Sequence, residues 1–485
     1  MTDVIKRRMF GRTEICSNVE SVTRENIVRV LGKALVTHNQ NSLEIDYLYR
    51  YMRGQQPILS RTKQIRPEIN NRVVENHAIE IAQFTSGYFL GEPVTYVRRG
   101  DREKSSEEIG LLNDYMFEEN KSSHDKDLAT WMAICGVAYR MVLPRRKDSD
   151  SPYESPFRLD TPDPRNTFIV YHSGFGHRRL LGAQVIEVER DDGQTDKLCC
   201  GYTDTHYFEV NGTTVRRWEP HPLGGIPIFE YRLNMYRMGS FEPALEVLDT
   251  INNLTSNRMD AVETFVQSFL KFKNCEIDDT QIEKLARLGA IKIKSADGLD
   301  ADVELISQEL NQTQTQTYVD YLYEQALVIC GLPTTTKGGT STSDTGAAVL
   351  LRDGWQQCEA RAKDTEQLFK RSEREFLRIV LGIMNVTRDI DLPLSDVECK
   401  FTRRQHDNLL TKTQGLLNML EAGLKPEVAI AACGLFNDPM DVSTQSVEYL
   451  EKWRPTEDAP EDAEHSDGAA VEKPLTKSQS AREGG

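Results

Sequence analysis

The sequence predicts an α+β fold, mainly α, and three observations lead there. Between residues 136 and 232, short runs rich in β-branched and aromatic residues are separated by turn signals, the pattern expected of half-buried strands. Beyond Pro227 the apolar spacing becomes helical over stretches far longer than an ordinary helix. The chain has 485 residues, enough for roughly two to four folding units at about 100 to 200 residues each.

The elements follow in chain order. Residues 22 to 53 carry Ile27, Val28, Val30, Leu31, Leu35, Leu43, Ile45, Tyr47 and Leu48 at mostly helical spacing, and Gly54 and Pro57 end that helix. A second helix starts near Arg72 and runs through Phe84. It is expected to give way to Gly87-Tyr88-Phe89-Leu90-Gly91-Glu92-Pro93-Val94-Thr95-Tyr96, an aromatic, strand-like turn bracketed by two glycines. Residues 107 to 135 read as one helical stretch. Strands are expected at Gly136–Leu143, Thr167–Tyr171, Gly182–Val188 and Tyr202–Val210, with hairpin signals at Asp192-Gly193 and Asn211-Gly212.

The second half of the chain is the helical one. Leu245, Leu248, Ile251, Leu254, Val262, Phe265, Val266, Phe269 and Leu270 predict a helix over 241 to 272, about 45 Å long. A compact insert occupies 273 to 312, with a helix near Gln281–Leu288 and a strand at Ala290–Lys294. A helix over 313 to 330 leads into Gly331-Leu332-Pro333-Thr334-Thr335-Thr336-Lys337-Gly338-Gly339-Thr340-Ser341-Thr342-Ser343, a polar loop with almost no apolar anchor. The third long helix covers Thr345 to about Asn385, some 60 Å, with Gly354 as the position where it can bend. After a strand at 397 to 401 come short helices to about Leu450, and then residues 455 to 485 with the polar, acidic composition of a disordered tail.

Composition removes several function classes. No run approaches the roughly 18 apolar residues of a membrane span, and Met1-Thr2-Asp3-Val4-Ile5-Lys6-Arg7-Arg8 leads into no apolar secretory core, so synthesis in the cytosol is expected. Nine cysteines are scattered without Cys-x-x-Cys spacing, and adjacent Cys199 and Cys200 point to opposite faces of any strand, so no metal site is expected. Asp191-Asp192-Gly193 lacks the spaced oxygen ligands of a calcium loop, and His221-Pro222-Leu223-Gly224-Gly225 reads as a turn rather than a catalytic histidine. Phosphate-binding, nucleophile-elbow, zinc-protease and dinucleotide motifs are all missing, so neither an enzyme nor a cofactor is expected. The net charge of −16 argues against tight duplex binding, since non-specific affinity comes from Lys and Arg displacing counterions; a surface past which DNA slides suits that sign.

The order helix, compact insert, helix, polar loop, very long helix resembles the portal proteins of long-tailed phages, in particular the family typified by Bacillus siphophages. Gly87 to Tyr96, His221-Pro222-Leu223-Gly224-Gly225-Ile226-Pro227-Ile228, and the stretch from Gly331-Leu332-Pro333 to Thr345-Gly346-Ala347-Ala348 carry the likeness; Thr345-Gly346 and the threonine run only approximate the family's Ser-Gly form. The resemblance implies a portal fold: a ring, usually a dodecamer, with wing, stem, clip and crown around a central DNA channel. By position it implies a wing over 1–240, stem helices over 241–272 and 313–332, a clip over 273–312, a tunnel loop over 333–344, a long helix and returning wing strand over 345–404, a crown over 405–455 and a tail over 456–485. It places Thr335, Thr336, Lys337, Gly338 and Gly339 against DNA. Lys271 and Lys273 at the end of the first stem helix, and Lys292 and Lys294 on the insert strand, are basic candidates for the channel or clip, although a helix dipole and an ordinary half-buried strand explain them as well.

The implied partners are further copies of the chain, double-stranded DNA as cargo, a terminase that supplies the hydrolysis, scaffolding and major capsid proteins, and a head-completion adaptor, with no membrane. The implied place is the portal vertex of the virion, after assembly in the host cytoplasm. The alternatives are another ring-forming virion or adaptor protein, and a DNA-processing nuclease.

Overall fold

The computed structural model describes residues 11–64, 66–99, 104–145, 154–189, 195–266, 269–273, 275–276, 294–295, 302–306, 312–334, 355–401, 409–436 and 442–446. The chain divides into a large unit, Met1–Asn408, and a small one, Leu409–Gly485. In the small unit α8 (Leu409–Glu421) packs on α9 (Pro426–Cys433).

A six-stranded sheet dominates the first half of the large unit. Its order is β1 (Ile15–Ser17), β5 (Thr167–His172), β6 (Arg179–Glu189), β7 (Thr195–Tyr202), β8 (His206–Asn211) and β9 (Thr214–Pro220), all antiparallel except the β1–β5 pair. Period two decides its faces. Phe168, Val170, Leu181, Ala183, Cys199, Phe208 and Val210 meet Ile27, Val30, Leu31 and Ala34 of α1 (Ile27–Met52). On the opposite face, Ile169 packs with Tyr139, Ile226 and Ile228, which belong to or flank a second sheet of β10 (Ile228–Arg232), β3 (Val137–Pro144) and β4 (Phe157–Asp160).

His38 sits at the α1–sheet interface, 3% exposed, with its ring 4.5 Å from Phe168. Burial pushes its pKa down to about 4. The unfolded chain takes up that proton near the ordinary value, so stability should fall as pH drops from about 6.5 toward 4, by up to about 1.4 kcal/mol per pH unit. Replacing His38 by Phe should flatten this part of the pH–stability curve, measured by denaturant midpoints at pH 7 and 5.

Two helical cores complete the unit. In the first, α3 (Lys104–Glu118), α4 (Lys121–Cys135) and α7 (Trp355–Arg388) close over β3, β4 and β10, and over the pair formed by β2 (Thr95–Arg98) and β15 (Val397–Lys400). In the second, α2 (His77–Phe89) and the ends of α1 and α4 pack against α5 (Leu245–Val266) and α6 (Gln312–Cys330).

Several boundaries differ from the sequence expectations. The helix expected to end near Phe84 continues to Phe89, because Gly87 accepts helical geometry and Phe89 is buried against Phe369 and Phe401; the tight spot is Gly91, where a Cβ would lie 2.4 Å from the Gly87 carbonyl oxygen. The single helix over 107 to 135 is two, broken at Asn120 in the left-handed region (φ 51), which asparagine tolerates better than most residues. The strand expected over Tyr202–Val210 starts only at His206, and Tyr202 is instead the last residue of β7. Thr203 turns the chain between them, its Oγ1 accepting the His206 amide at 2.9 Å, and the Asn211-Gly212 turn that follows leads into β9.

Candidate functional site

The element order that singled out residues 241 to 401 begins with two packed helices. Leu248 and Ile251 of α5 share a core with Val319, Ala326, Leu327 and Cys330 of α6. Each helix also keeps an apolar stripe in solvent: Met259 (47% exposed) and Val262 on α5, and Tyr318, Tyr321, Val328 and Ile329 on α6. At 100° per residue, the exposed α6 set lies well away from the buried one, so α6 is apolar on two sides.

The extended segment 70–76 runs antiparallel along α5. The amides of Asn71, Val73 and Glu75 donate to Asp260 Oδ1 (2.7 Å), Ser256 Oγ (3.0 Å) and Asn252 Oδ1 (2.8 Å), and those three acceptors are among the buried polar residues. Lys63 (2.9 Å) and Arg61 (3.1 Å) also reach Asp260. Burial raises the Asp260 pKa, but the Asn71 and Lys63 hydrogen bonds and the Lys63 charge outweigh it, and the net shift is downward.

The first long helix stops at Val266, not near residue 272. Residues Phe269–Lys273 form strand β11, paired antiparallel with β14 (Asp302–Ile306), because this aromatic, partly alternating run suits a pleated surface once a partner strand is available. Lys271 and Lys273 therefore do not cap a helix. The register sets them opposite Glu304 and Asp302, and Lys294 of β13 (Lys294–Ser295) stands opposite Glu276 of β12 (Cys275–Glu276). Each of these lysines has an acidic residue as its cross-strand neighbour. Lys292, the helix expected over Gln281–Leu288, and Thr335, Thr336, Lys337, Gly338 and Gly339 lie outside the described residues, as do residues 345–354 with Gly354.

Both flanks of residues 335–354 are fixed. α6 ends in a Schellman cap: Gly331 (φ 72) donates to the Val328 carbonyl at 3.0 Å, Leu332 to the Leu327 carbonyl at 2.9 Å, and the Leu327 and Leu332 side chains are buried together. Arg361 donates to the Ile329 carbonyl at 3.3 Å and fills the space beside Gly331, where a Cβ would meet its guanidinium at 2.3 Å. On the other flank, Trp355 packs on Phe84 and Tyr88, and the Tyr88 hydroxyl donates to Glu359 at 2.8 Å.

Further along α7, Glu373 is fully buried and receives hydrogen bonds from Tyr96 and Tyr231 (2.5 Å each) and from Arg140 (3.0 Å), with Lys121 at 3.2 Å. Asp125 completes the group, pairing with Lys121 (2.7 Å) and Arg140. Two cations and two carboxylates from α4, β3 and α7 thus balance in a dry core. Burial works to raise the Glu373 pKa, yet the Lys121 and Arg140 charges and the tyrosine hydrogen bonds hold it down to about 2. The sequence reading missed this group. Its visible trace is an arginine inside the apolar strand Val137-Ala138-Tyr139-Arg140-Met141-Val142.

None of this is catalytic geometry. The His221 ring bonds the Thr203 carbonyl at 2.9 Å and holds a turn. Cys199 is buried and Cys200 half-buried on opposite strand faces, and no cluster of metal-ligating side chains occurs among the described residues. Comparison with known proteins decides the family. Residues 33–456 match the model described as phage portal protein, SPP1 Gp6-like. The chain belongs to this portal family. It is 22% identical to the portal protein of Bacillus phage SPP1 over 417 residues, 79% of this chain and 77% of that relative. A solved structure, the neck of an empty GTA particle computed with C6 symmetry, aligns with a TM-score of 0.45 and 12% identity over 74% of this chain and 90% of that one.

As a portal family member the chain is a structural, non-enzymatic component of the phage virion at the head–tail connection. It is a subunit of a homo-oligomeric ring that forms the DNA channel at a capsid vertex. The nuclease and adaptor alternatives fall with that assignment.

Proposed function

We propose that twelve copies form the ring and pass double-stranded DNA during packaging and ejection, with Thr335, Thr336, Lys337, Gly338 and Gly339 touching its backbone. The observation that carries this reading is that family-matched helices α6 and α7 hold both flanks of residues 335–354 fixed, so symmetry would repeat the polar loop 333–344, in which Lys337 is the one cation, around the ring. A single cation per subunit at Lys337 gives weak, sequence-independent phosphate contact, and the overall acidity limits sticking. Residues 1–240 then act as wing, α5 and α6 as stem, 273–312 as clip and 405–455 as crown, with Lys271, Lys273, Lys292 and Lys294 as basic positions of the channel or clip. The exposed stripes of α5 and α6 would lie between neighbours. The ring would be assembled in the host cytoplasm with scaffolding and major capsid proteins, dock a terminase during packaging, and later seat head-completion proteins.

The test is Lys337→Ala. Rings of unchanged mass and appearance by electron microscopy, with severalfold slower DNA packaging, are the expected result; packaging at the normal rate would remove Lys337 from the channel contact.

A further inference from the structure

Two turns sit side by side at one end of β6. In the β5–β6 turn, Ser173-Gly174-Phe175-Gly176, His177 adopts φ 44; in the turn after β10, Asn234-Met235-Tyr236, Arg237 adopts φ 54. A left-handed backbone at a residue other than glycine costs about 1–2 kcal/mol and persists only where the surroundings enforce it. Here they do. Glu14 bridges the turns, 3.0 Å from His177 Nε2 and paired with Arg237; the His177 ring stacks on Tyr171 at 4.9 Å, and Arg237 donates to Glu230 at 3.1 Å. Asn234 closes the second turn by accepting the Tyr236 and Met238 amides at 3.1 and 3.0 Å.

What this scaffold presents is apolar. Phe175 is fully exposed, and Met235 and Tyr236 are each 68% exposed. A lone subunit gains nothing from holding three large apolar side chains in water on two strained turns, so the arrangement calls for a partner.

The same chain also carries a groove large enough for such side chains. At the other end of β6, between α1 and strands β6 and β7, this groove of about 610 Å³ has an apolar patch of Leu31, Leu35, Val185 and Val210 within a lining that also carries polar side chains such as Asn39 and Gln184. Eight or so residues of strand separate it from the knob, about 25 Å. Glu20 beside the knob and Lys197 in the groove, with side chains 85% and 74% exposed, have opposite charge; each has a partner on its own subunit, Arg178 at 3.1 Å and Glu187 at 3.8 Å, but exposed pairs of this kind are weak enough to exchange at a subunit contact. A ring joins unlike faces of identical subunits, so it needs two complementary surfaces set apart on each copy.

We propose that the Phe175–Met235–Tyr236 knob of one subunit seats in the α1/β6–β7 groove of the next. The inference rests on the ring assembly of the portal family, and the experiment separates the two. A benzophenone photo-crosslinker placed at position 175 in assembled rings should join neighbouring chains, with the linked residue drawn from 31–42, 184–187 or 197–199. Phe175→Asp combined with Met235→Asp should raise the concentration needed for ring formation by about tenfold or more while leaving subunit secondary structure intact. Rings that form but crosslink only within a chain, or at other peptides, overturn the contact and leave the ring standing; a wild-type chain that forms no rings overturns both.

Discussion

Glu373→Ala is expected to destabilise the protein by about 3–5 kcal/mol, the usual result of removing one partner from a buried charge group. The native group is neutral overall, pairing Lys121 and Arg140 with Asp125 and Glu373, all four within 3% of complete burial. Alanine leaves one carboxylate facing two cations in the core, and the Tyr96 and Tyr231 hydroxyls lose the acceptor that each reaches at 2.5 Å. Glu373→Gln should cost less, since the amide oxygen can still accept one of them. The same carboxyl gives a pH signature. With its pKa held to about 2 against about 4.3 in an unfolded chain, its contribution is complete above pH 4.3 and is lost as pH falls toward 2, about 3 kcal/mol in all. Chemical denaturation from pH 6 to 3 should therefore show wild type converging on Glu373→Gln as acid is added. Curves that remain parallel would mean that the carboxyl is not held ionised.

Gly136→Ala should be comparably severe, at about 3 kcal/mol or more, for a different reason. Gly136 ends α4 at φ 82, and a Cβ there would lie 2.3 Å from the Arg237 carbonyl carbon and 2.4 Å from the Met238 amide nitrogen. Both obstacles are backbone, so no rotamer change relieves them. The fit is reciprocal, since a Cβ on Gly239 would lie 2.3 Å from the Ile134 carbonyl oxygen. Gly110→Ala in α3 is the control. No atom lies within 4 Å of its added Cβ, and the exchange should stabilise by about 0.5–1 kcal/mol. A thermal melt of the two variants beside wild type gives opposite signs if backbone contact at Gly136 is the cause.

The long helices could be read from the sequence because thirty or so residues of one period leave little ambiguity. Their ends could not. Phe269-Leu270-Lys271-Phe272 satisfies either period, and the strand prevails only because Asp302–Ile306 pairs with it. Asn120 looked like one more polar helix residue, although its backbone divides α3 from α4. The Glu373 group was hidden for another reason: the sequence shows an arginine in an apolar strand and a glutamate on the apolar face of a helix, but nothing local says that residues 233 apart meet. The family likeness reached further than periodicity could, because it uses the order of elements and not their contacts.

The segment over α5 carries one more consequence. Four helical residues rise about 6.0 Å and two strand residues about 6.7 Å, so the acceptors at 252, 256 and 260 fall nearly in step with alternate amides at 75, 73 and 71. The helix thus serves as a ruler that reads an extended chain in units of two. One residue added between Asn71 and Glu75 would turn the wrong amides toward α5, whereas two would move the chain by a single graduation and leave it aligned. Length in this stretch can change in even steps alone.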